Sequence, residues 1–313
     1  MSVSAPLALD TIVFARGLTT PARGGTALAG IDLDILPGEV FSIVGRAGSG
    51  KTTLLEALVG LRPFSAEQLL VCGTDPREFP NTVKQRIGVA PGRAALERRM
   101  TVGDVLRWFA TLYQRADPEA AMQRLQLEPV KDRRVESLDP PLLQRVTLAL
   151  AIVNDPVVLF ADEPTRDLDP SAARLVWDLL RERRERGRTS IVTTNHLDDA
   201  ARISDRIAVL DRGRLVAADS PSRLVARSPA PQRIVVELPG GGIGEDVLRR
   251  LPAVTGIYRD RGAFVISSRA PLTTMGDLVR MLERAGVQPL ALGLRQESLE
   301  EAFFSLTGQE QAA

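Results

Sequence analysis

Eight consecutive residues, Gly45-Arg46-Ala47-Gly48-Ser49-Gly50-Lys51-Thr52, combine glycines, a lysine and a hydroxyl in the pattern of a phosphate-binding loop. Glycines let the backbone approach the phosphates closely and turn successive N–H groups inward. Lys51 would reach the β and γ phosphates, and the Thr52 hydroxyl would bind magnesium. A helix opening here adds a favourable dipole for the anion. The carboxylate pair Asp162-Glu163 follows the apolar run Val157-Val158-Leu159-Phe160-Ala161. At the carboxyl end of a buried strand, Asp162 is suited to hold magnesium, directly or through water, and Glu163 to polarise an attacking water. His196, the only histidine, lies just past the strand-like run Ser190-Ile191-Val192-Thr193-Thr194-Asn195. There it is placed to contact a γ-phosphate.

These roles need several strand ends gathered at one edge of a sheet. A buried strand over 39–44 runs into the glycine loop, after which the apolar period changes from two to about 3.6 at Leu54, Leu55, Leu58 and Leu61. The pattern predicts strand, loop and helix in succession. Residues 101–127 read as mainly helical, with a capped start at Thr101 and Asp104, and a further helix is expected over 140–153. Pro156 and Pro164 bound a strand buried on both faces; a helix over 170–186 and a second buried strand follow, then a hairpin turning at Asp211-Arg212-Gly213. Strands alternating with helices imply a mostly parallel sheet covered on both faces.

A Pro- and Ser-rich stretch over 226–233 is expected to be a linker that separates a first domain, 1–225, from a second, 234–313. The second orders itself as β-α-β-β-α-β, the pattern of a small α+β, ferredoxin-like module, with Gly240-Gly241-Gly242 and Arg261-Gly262 as turns.

Across 313 residues, 40 basic and 39 acidic side chains leave a formal charge of +1, so no global attraction to nucleic acid or acidic lipid is expected. Positive charge is almost all arginine; the lysines are Lys51, Lys84 and Lys131. In the run 181–188, Arg-Glu-Arg-Arg-Glu-Arg-Gly-Arg, interleaved glutamates predict a solvated helix face rather than a nucleic-acid site. The single cysteine, Cys72, excludes an intramolecular disulfide and reads as a small hydrophobe at a strand end, consistent with a reducing, cytosolic compartment. No stretch has the roughly 18 uninterrupted apolar residues that a membrane helix needs, and the first residues lack the basic start of a signal peptide. A membrane role would come through a partner.

Over about residues 8–225 the chain resembles the ATP-binding subunits of ABC transporters. Gly45 through Thr53 look like the Walker A motif of that family, Val157 through Pro164 like its Walker B with Glu163 as catalytic residue, Arg166-Asp167-Leu168-Asp169 like its D-loop through Asp169, and Thr193 through His196 like its switch-histidine segment. The resemblance implies an α/β P-loop fold with a RecA-like core, a small antiparallel β region and a helical subdomain at about 93–155. It implies ATP and magnesium as ligands, separate membrane permease subunits as partners, and a place on the cytoplasmic side of the cell membrane. Thr101-Val102-Gly103-Asp104, Leu168-Asp169-Pro170-Ser171 and the C-terminal Ser298-Leu299-Glu300-Glu301-Ala302-Phe303 are most similar to the daunorubicin-resistance exporter branch. Such proteins work as dimers in which each ATP lies between the Walker motifs of one chain and the signature motif of the other.

Three positions depart from that pattern. No adenine-stacking aromatic stands at 20–24; Gly92 replaces a glutamine that reaches magnesium and transmits movement to the permease; and Leu138-Asp139-Pro140-Pro141 replaces Leu-Ser-Gly-Gly. Asp139 and Pro140 are good helix-start residues, and the cap is worth about 1 kcal/mol. As a phosphate site the segment is poor. The prolines remove two N–H donors, at about 1.5–3 kcal/mol per charge-assisted hydrogen bond. A carboxylate about 4 Å from a phosphate oxygen adds repulsion of about 4 kcal/mol at intermediate dielectric. The expectation is an ATPase with a disabled signature that works in a heterodimer with an intact sister chain; the alternative is a non-hydrolysing regulatory or scaffold subunit that binds ATP while a sister chain turns over.

Overall fold

The computed structural model describes residues 10–22, 27–78, 81–92, 95–227, 232–239, 243–260, 262–296 and 299–306. The expected turn at 240–242, half of the expected linker (228–231) and Arg261 lie outside the described residues. The chain divides into two compact units, Met1–Pro221 and Ser222–Ala313.

In the first unit, β1 (Val13–Leu18) and β2 (Ile31–Ile35) precede the buried strand β3 (Val40–Val44), which leads into α1 (Lys51–Leu58). Next come β4 (Gln68–Val71), α2 (Asn81–Lys84) and β5 (Ile87–Ala90), then the helices α3 (Val102–Ala110), α4 (Pro118–Arg124) and α5 (Pro140–Ile152). The unit is completed by β6 (Val158–Asp162), α6 (Pro170–Glu185), β7 (Thr189–Thr194), α7 (Leu197–Ile203), β8 (Arg206–Asp211) and β9 (Arg214–Asp219); α8 (Pro221–Ala226) straddles the division. The strands form a three-stranded antiparallel sheet, β2-β1-β4, and a six-stranded sheet, β5-β6-β7-β3-β8-β9. The larger sheet is parallel except for β9, which turns back from β8 through Arg212 (φ 46°) and Gly213 (φ 75°).

Strands β3, β6 and β7 are buried along their whole length, as the mainly apolar runs of β3 and β6 imply; β7 buries Thr189, Ser190, Thr193 and Thr194 along with Ile191 and Val192. Alternate side chains feed two cores. Phe41, Ile43, Phe160 and Ile191 pack with α1 and the antiparallel sheet. Val40, Leu159, Ala161 and Val192 pack with α3 to α6. The parallel register aligns Val44 with Thr194, Asp162 with Thr193 and Ala90 with Ala161. The ends of β3, β5, β6 and β7 therefore meet at one edge of the sheet, where ligands bind in open α/β folds.

The first unit departs from its sequence pattern at two places. The helical stretch 101–127 is broken: α3 starts at the Thr101 cap as expected but ends at Ala110, and α4 restarts at Pro118. Asp117 caps that restart by accepting the N–H of Ala120 at 2.8 Å. Proline at the first helical position biases the preceding residue away from helix, so Asp117-Pro118 begins a new helix rather than continuing one. The run 181–188 is also not uniformly solvated. Arg183 is 2% exposed, and its guanidinium donates to the Pro156 and Thr189 carbonyls and the Ser190 hydroxyl. Position 183 follows Val176, Leu179 and Leu180 on the buried face of α6, so helical phase outranks residue type. Burial lowers the pKa of Arg183 to about 10.

The second unit holds β10 (Gln232–Glu237), α9 (Glu245–Leu248), β11 (Val254–Asp260), β12 (Ala263–Ser268), α10 (Pro271–Arg284), β13 (Ala291–Gln296) and α11 (Leu299–Leu306). Its sheet runs β11-β12-β10-β13, with every neighbouring pair antiparallel. Strand β13 starts later than its apolar pattern suggests, because Pro289 has no N–H for a ladder. Thr274, Leu278 and Leu282, four residues apart, form the buried stripe of α10, and the two leucines join a core with Ile234, Ile257 and Ile266. Among the described residues of both units, no helix is long and apolar enough to cross a membrane.

Candidate functional site

The loop between β3 and α1 owes its path to close approaches. A Cβ on Gly45 would lie 2.3 Å from the Leu210 carbonyl and 2.4 Å from Ser49 Oγ, so no side chain fits there. Gly48 and Gly50 take φ of 79° and 107°, and Gly48 has open space where a side chain would stand. Arg46, Ala47 and Gly48 form the exposed tip; Ser49, Gly50, Lys51 and Thr53 are buried. Ser49 Oγ is buried and has no protein partner. The Lys51 ammonium folds back on the loop, donating to the carbonyls of Gly45 (2.8 Å) and Arg46 (3.0 Å) and to Asn195 Oδ1 (2.7 Å). Burial lowers its pKa, against the opposing pull of Glu163 and Asp162.

Asp162 ends β6 and is held from both sides. The Thr52 hydroxyl donates to its Oδ2 at 2.9 Å, and the Thr193 hydroxyl donates to its Oδ1. Hydroxyl and carboxylate thus already share one point beside the phosphate loop, the donor set that suits a hard divalent cation completed by phosphate oxygens. Among the described residues no cluster of three or more His, Cys, Asp or Glu could hold a metal. The fit therefore depends on Thr52, Asp162 and the ligand.

Glu163 sits in the left-handed region, φ 46°, with its N–H donating to the Thr193 carbonyl (3.1 Å) and hydroxyl (2.9 Å). Both carboxylate oxygens are engaged. Oε1 accepts from Asn195 Nδ2 at 2.8 Å, and Oε2 accepts from Arg166 Nε at 2.6 Å and from Arg166 Nη2. The remaining Arg166 nitrogen points to the Gly92 carbonyl at 3.5 Å. Gly92 is there for room: a Cβ would stand 2.7 Å from Asp162 Oδ2 and 3.5 Å from Arg166 Nη1. A cavity of about 310 Å³ opens beside these groups, lined by Thr52, Val89, Gly92, Asp162 and Arg166.

His196 does not join this cluster by hydrogen bonds. It is exposed at the start of α7, its N–H donates to the Thr194 hydroxyl at 2.9 Å, and its ring bonds neither Lys51 nor Glu163. It lines a cavity of about 560 Å³ between α6 and α7, with Thr165, Trp177 and Arg202. The side chain that reaches both charged groups is its neighbour Asn195.

Asp169 caps α6, accepting from the N–H groups of Ser171 (2.8 Å) and Ala172 (3.1 Å), which hold its carboxyl below the usual range. Leu138-Asp139-Pro140-Pro141 forms the start of α5. Asp139 Oδ1 accepts the Leu142 N–H at 2.9 Å and Pro140 occupies the first helical position, the capping role expected of them. From the same helix Gln144 Nε2 approaches the Glu163 carbonyl at 3.4 Å.

Sequence reasoning missed Asn195, Arg166 and Thr193. Arg166 had a signal in its spacing, three residues after Glu163. Thr193 had one in being a polar residue inside a buried strand. Asn195 beside the only histidine had none.

A family model described as "ABC transporter" matches residues 28–166. The chain is 32% identical over 311 residues to the daunorubicin resistance ATP-binding protein DrrA3 of Streptomyces coeruleorubidus, covering 96% of this chain and 97% of that protein. It is 32% identical over 291 residues to the Nod factor export ATP-binding protein I of Paraburkholderia xenovorans, covering 91% and 93%. Among solved structures, an ATP-binding subunit of an ABC transporter superposes with a TM-score of 0.64 at 21% identity, over 69% of this chain and 93% of that one, a likeness of fold. The cbiO1 protein of Clostridium perfringens, part of the ABC transporter complex cbiONQ, gives a TM-score of 0.59 at 27% identity, over 70% and 92%. With identity of about a third running the length of the chain, and a strand-end cluster of the kind that its motifs imply, the chain belongs to the ATP-binding subunits of ABC transporters.

Proposed function

We propose that the chain binds ATP with magnesium and supplies Lys51, Thr52, Asp162 and Glu163 to hydrolysis that drives export through separate permease subunits, on the cytoplasmic side of the cell membrane. The observation that carries this reading is the joining of those side chains at one sheet edge, with Thr52 on Asp162 and Lys51 linked through Asn195 to Glu163. Magnesium held by Thr52 and Asp162 would supply Lewis-acid charge to the β and γ phosphates. Lys51 would exchange its loop carbonyls for phosphate oxygens, a charge-assisted contact. Glu163 would accept the proton of the attacking water once Arg166 releases Oε2. The export reading draws on relatives named for daunorubicin resistance and Nod factor export.

We further read the chain as half of a heterodimer. Its Asp139 carboxylate is spent on a helix cap and its Pro140 and Pro141 lack the N–H groups that a trans phosphate would need, so the composite site built on its own Walker residues takes an intact signature from a sister chain. The second unit is read as a ferredoxin-like accessory domain, on the strand order β11-β12-β10-β13. A non-hydrolysing role draws support from the Arg166 pairing that occupies Glu163.

ATP hydrolysis by the purified full chain, alone and with its co-purifying partners, tests the proposal. Low turnover alone and strong turnover in the complex, abolished by Glu163→Gln, is expected. Vigorous hydrolysis by the lone chain would sink the heterodimer. A complex indifferent to Glu163→Gln would establish the non-hydrolysing role instead.

A further inference from the structure

The link between Lys51 and Glu163 has strict chemical requirements. An ammonium only donates and an ionised carboxylate only accepts, so whatever joins them must accept at one end and donate at the other. Asn195 does both through one carboxamide, accepting from Lys51 Nζ at 2.7 Å on Oδ1 and donating to Glu163 Oε1 at 2.8 Å from Nδ2. Those two partners also fix which end of the amide is oxygen. His196, one residue further, begins α7 and makes neither bond.

We propose that Asn195, and not His196, is the positioning residue of this site: it sets the plane of the Glu163 carboxylate, with Oε1 held and Oε2, on the Arg166 side, left as the oxygen that receives a proton, and it ties that carboxylate to the phosphate-binding lysine. The inference rests on the reading of Glu163 as the base. It explains how the base can be held in register with the loop although β3 and β6 are not neighbours, since β7 lies between them and Asn195 follows its last residue. It also separates the two oxygens of Glu163 by role: Asn195 holds one and Arg166 covers the other.

Substitutions at adjacent positions separate Asn195 from His196. With TNP-ATP and magnesium as the probe on the full chain, Asn195→Asp replaces the carboxamide by an isosteric anion that competes with phosphate for Lys51 and repels Glu163. Affinity should fall at least tenfold, whereas His196→Asp, which introduces the same carboxylate one residue on, should weaken binding by less than threefold. In the assembled complex, Asn195→Ala should lower kcat at least tenfold with KM changed less than threefold. Asn195→His, whose ring can accept on one nitrogen and donate from the other, should restore most of the rate. An affinity loss for His196→Asp equal to or larger than that for Asn195→Asp overturns the proposal. So does an Asn195→Ala variant with unchanged kcat, including one that only melts at a lower temperature. Failure of the underlying reading looks different: wild-type chain that does not bind TNP-ATP, or a complex whose turnover ignores Glu163→Gln.

Discussion

At the scale of single residues, Glu163, the proposed base, is the side chain whose freedom would govern hydrolysis. Its Oε2 is paired with Arg166, so the oxygen that would take a proton from water is occupied until the guanidinium moves away. Arg166 is 38% exposed, so solvent screens the pair and its opening costs little beyond a surface ion pair, about 1 kcal/mol. Arg166→Ala should therefore raise kcat of the assembled complex about threefold to fivefold, with KM changed less, read by steady-state ATP hydrolysis. A fall in kcat would mean that the guanidinium serves turnover itself.

At the scale of elements, α5 and α6 each set local helix physics against another demand. In α5, Asp139, Pro140 and Pro141 make a well-capped helix start at the position where the family places phosphate donors. Replacing them together by Ser, Gly and Gly should cost about 1–2 kcal/mol in urea unfolding, from the introduced glycines and the altered cap. The same replacement should raise ATP hydrolysis by the lone chain at least tenfold, if the missing signature is what limits it. In α6, Arg183 sits where helical phase demands an apolar residue, and its guanidinium serves the carbonyls of Pro156 and Thr189. Arg183→Met keeps the volume but leaves those carbonyls without their donor, so a loss of about 2–4 kcal/mol is expected in chemical denaturation. A neutral result would show that the carbonyls find other donors.

For the whole molecule, two separate cores predict two unfolding events. Ile234, Ile257, Phe264 and Leu278 form one core within Ser222–Ala313, and Phe41, Phe160 and Ile191 belong to another within Met1–Pro221. Urea unfolding of the full chain should give two transitions. ATP with magnesium at 100 times its dissociation constant should stabilise only the larger unit, by about 2.7 kcal/mol. A single transition, or an equal shift of both, would contradict independent cores.

Much of the fold was legible because the buried strands carry β-branched and apolar residues between turn signals and the helices carry 3.6-residue stripes. β3, β6, β7, α5 and α6 all lie within a residue or two of their expected bounds. The phosphate loop was equally plain, since its glycines and lysine are contiguous and their chemistry is local. The misses share a cause. Asp117-Pro118 broke a helix whose apolar stripe continued; helical phase buried Arg183 against the charge pattern around it. The decisive contacts of the site join residues that are 32 and 144 positions apart, Asn195 with Glu163 and with Lys51. The sequence by itself determined the family, the strand ends and the kinds of groups brought to them. Only the tertiary structure decided that Asn195 rather than His196 makes the link and that Arg166 pairs with Glu163 beside Gly92. Those outcomes depend on which way adjacent side chains leave a strand end and on register across strands distant in the chain, and neither is written in local spacing.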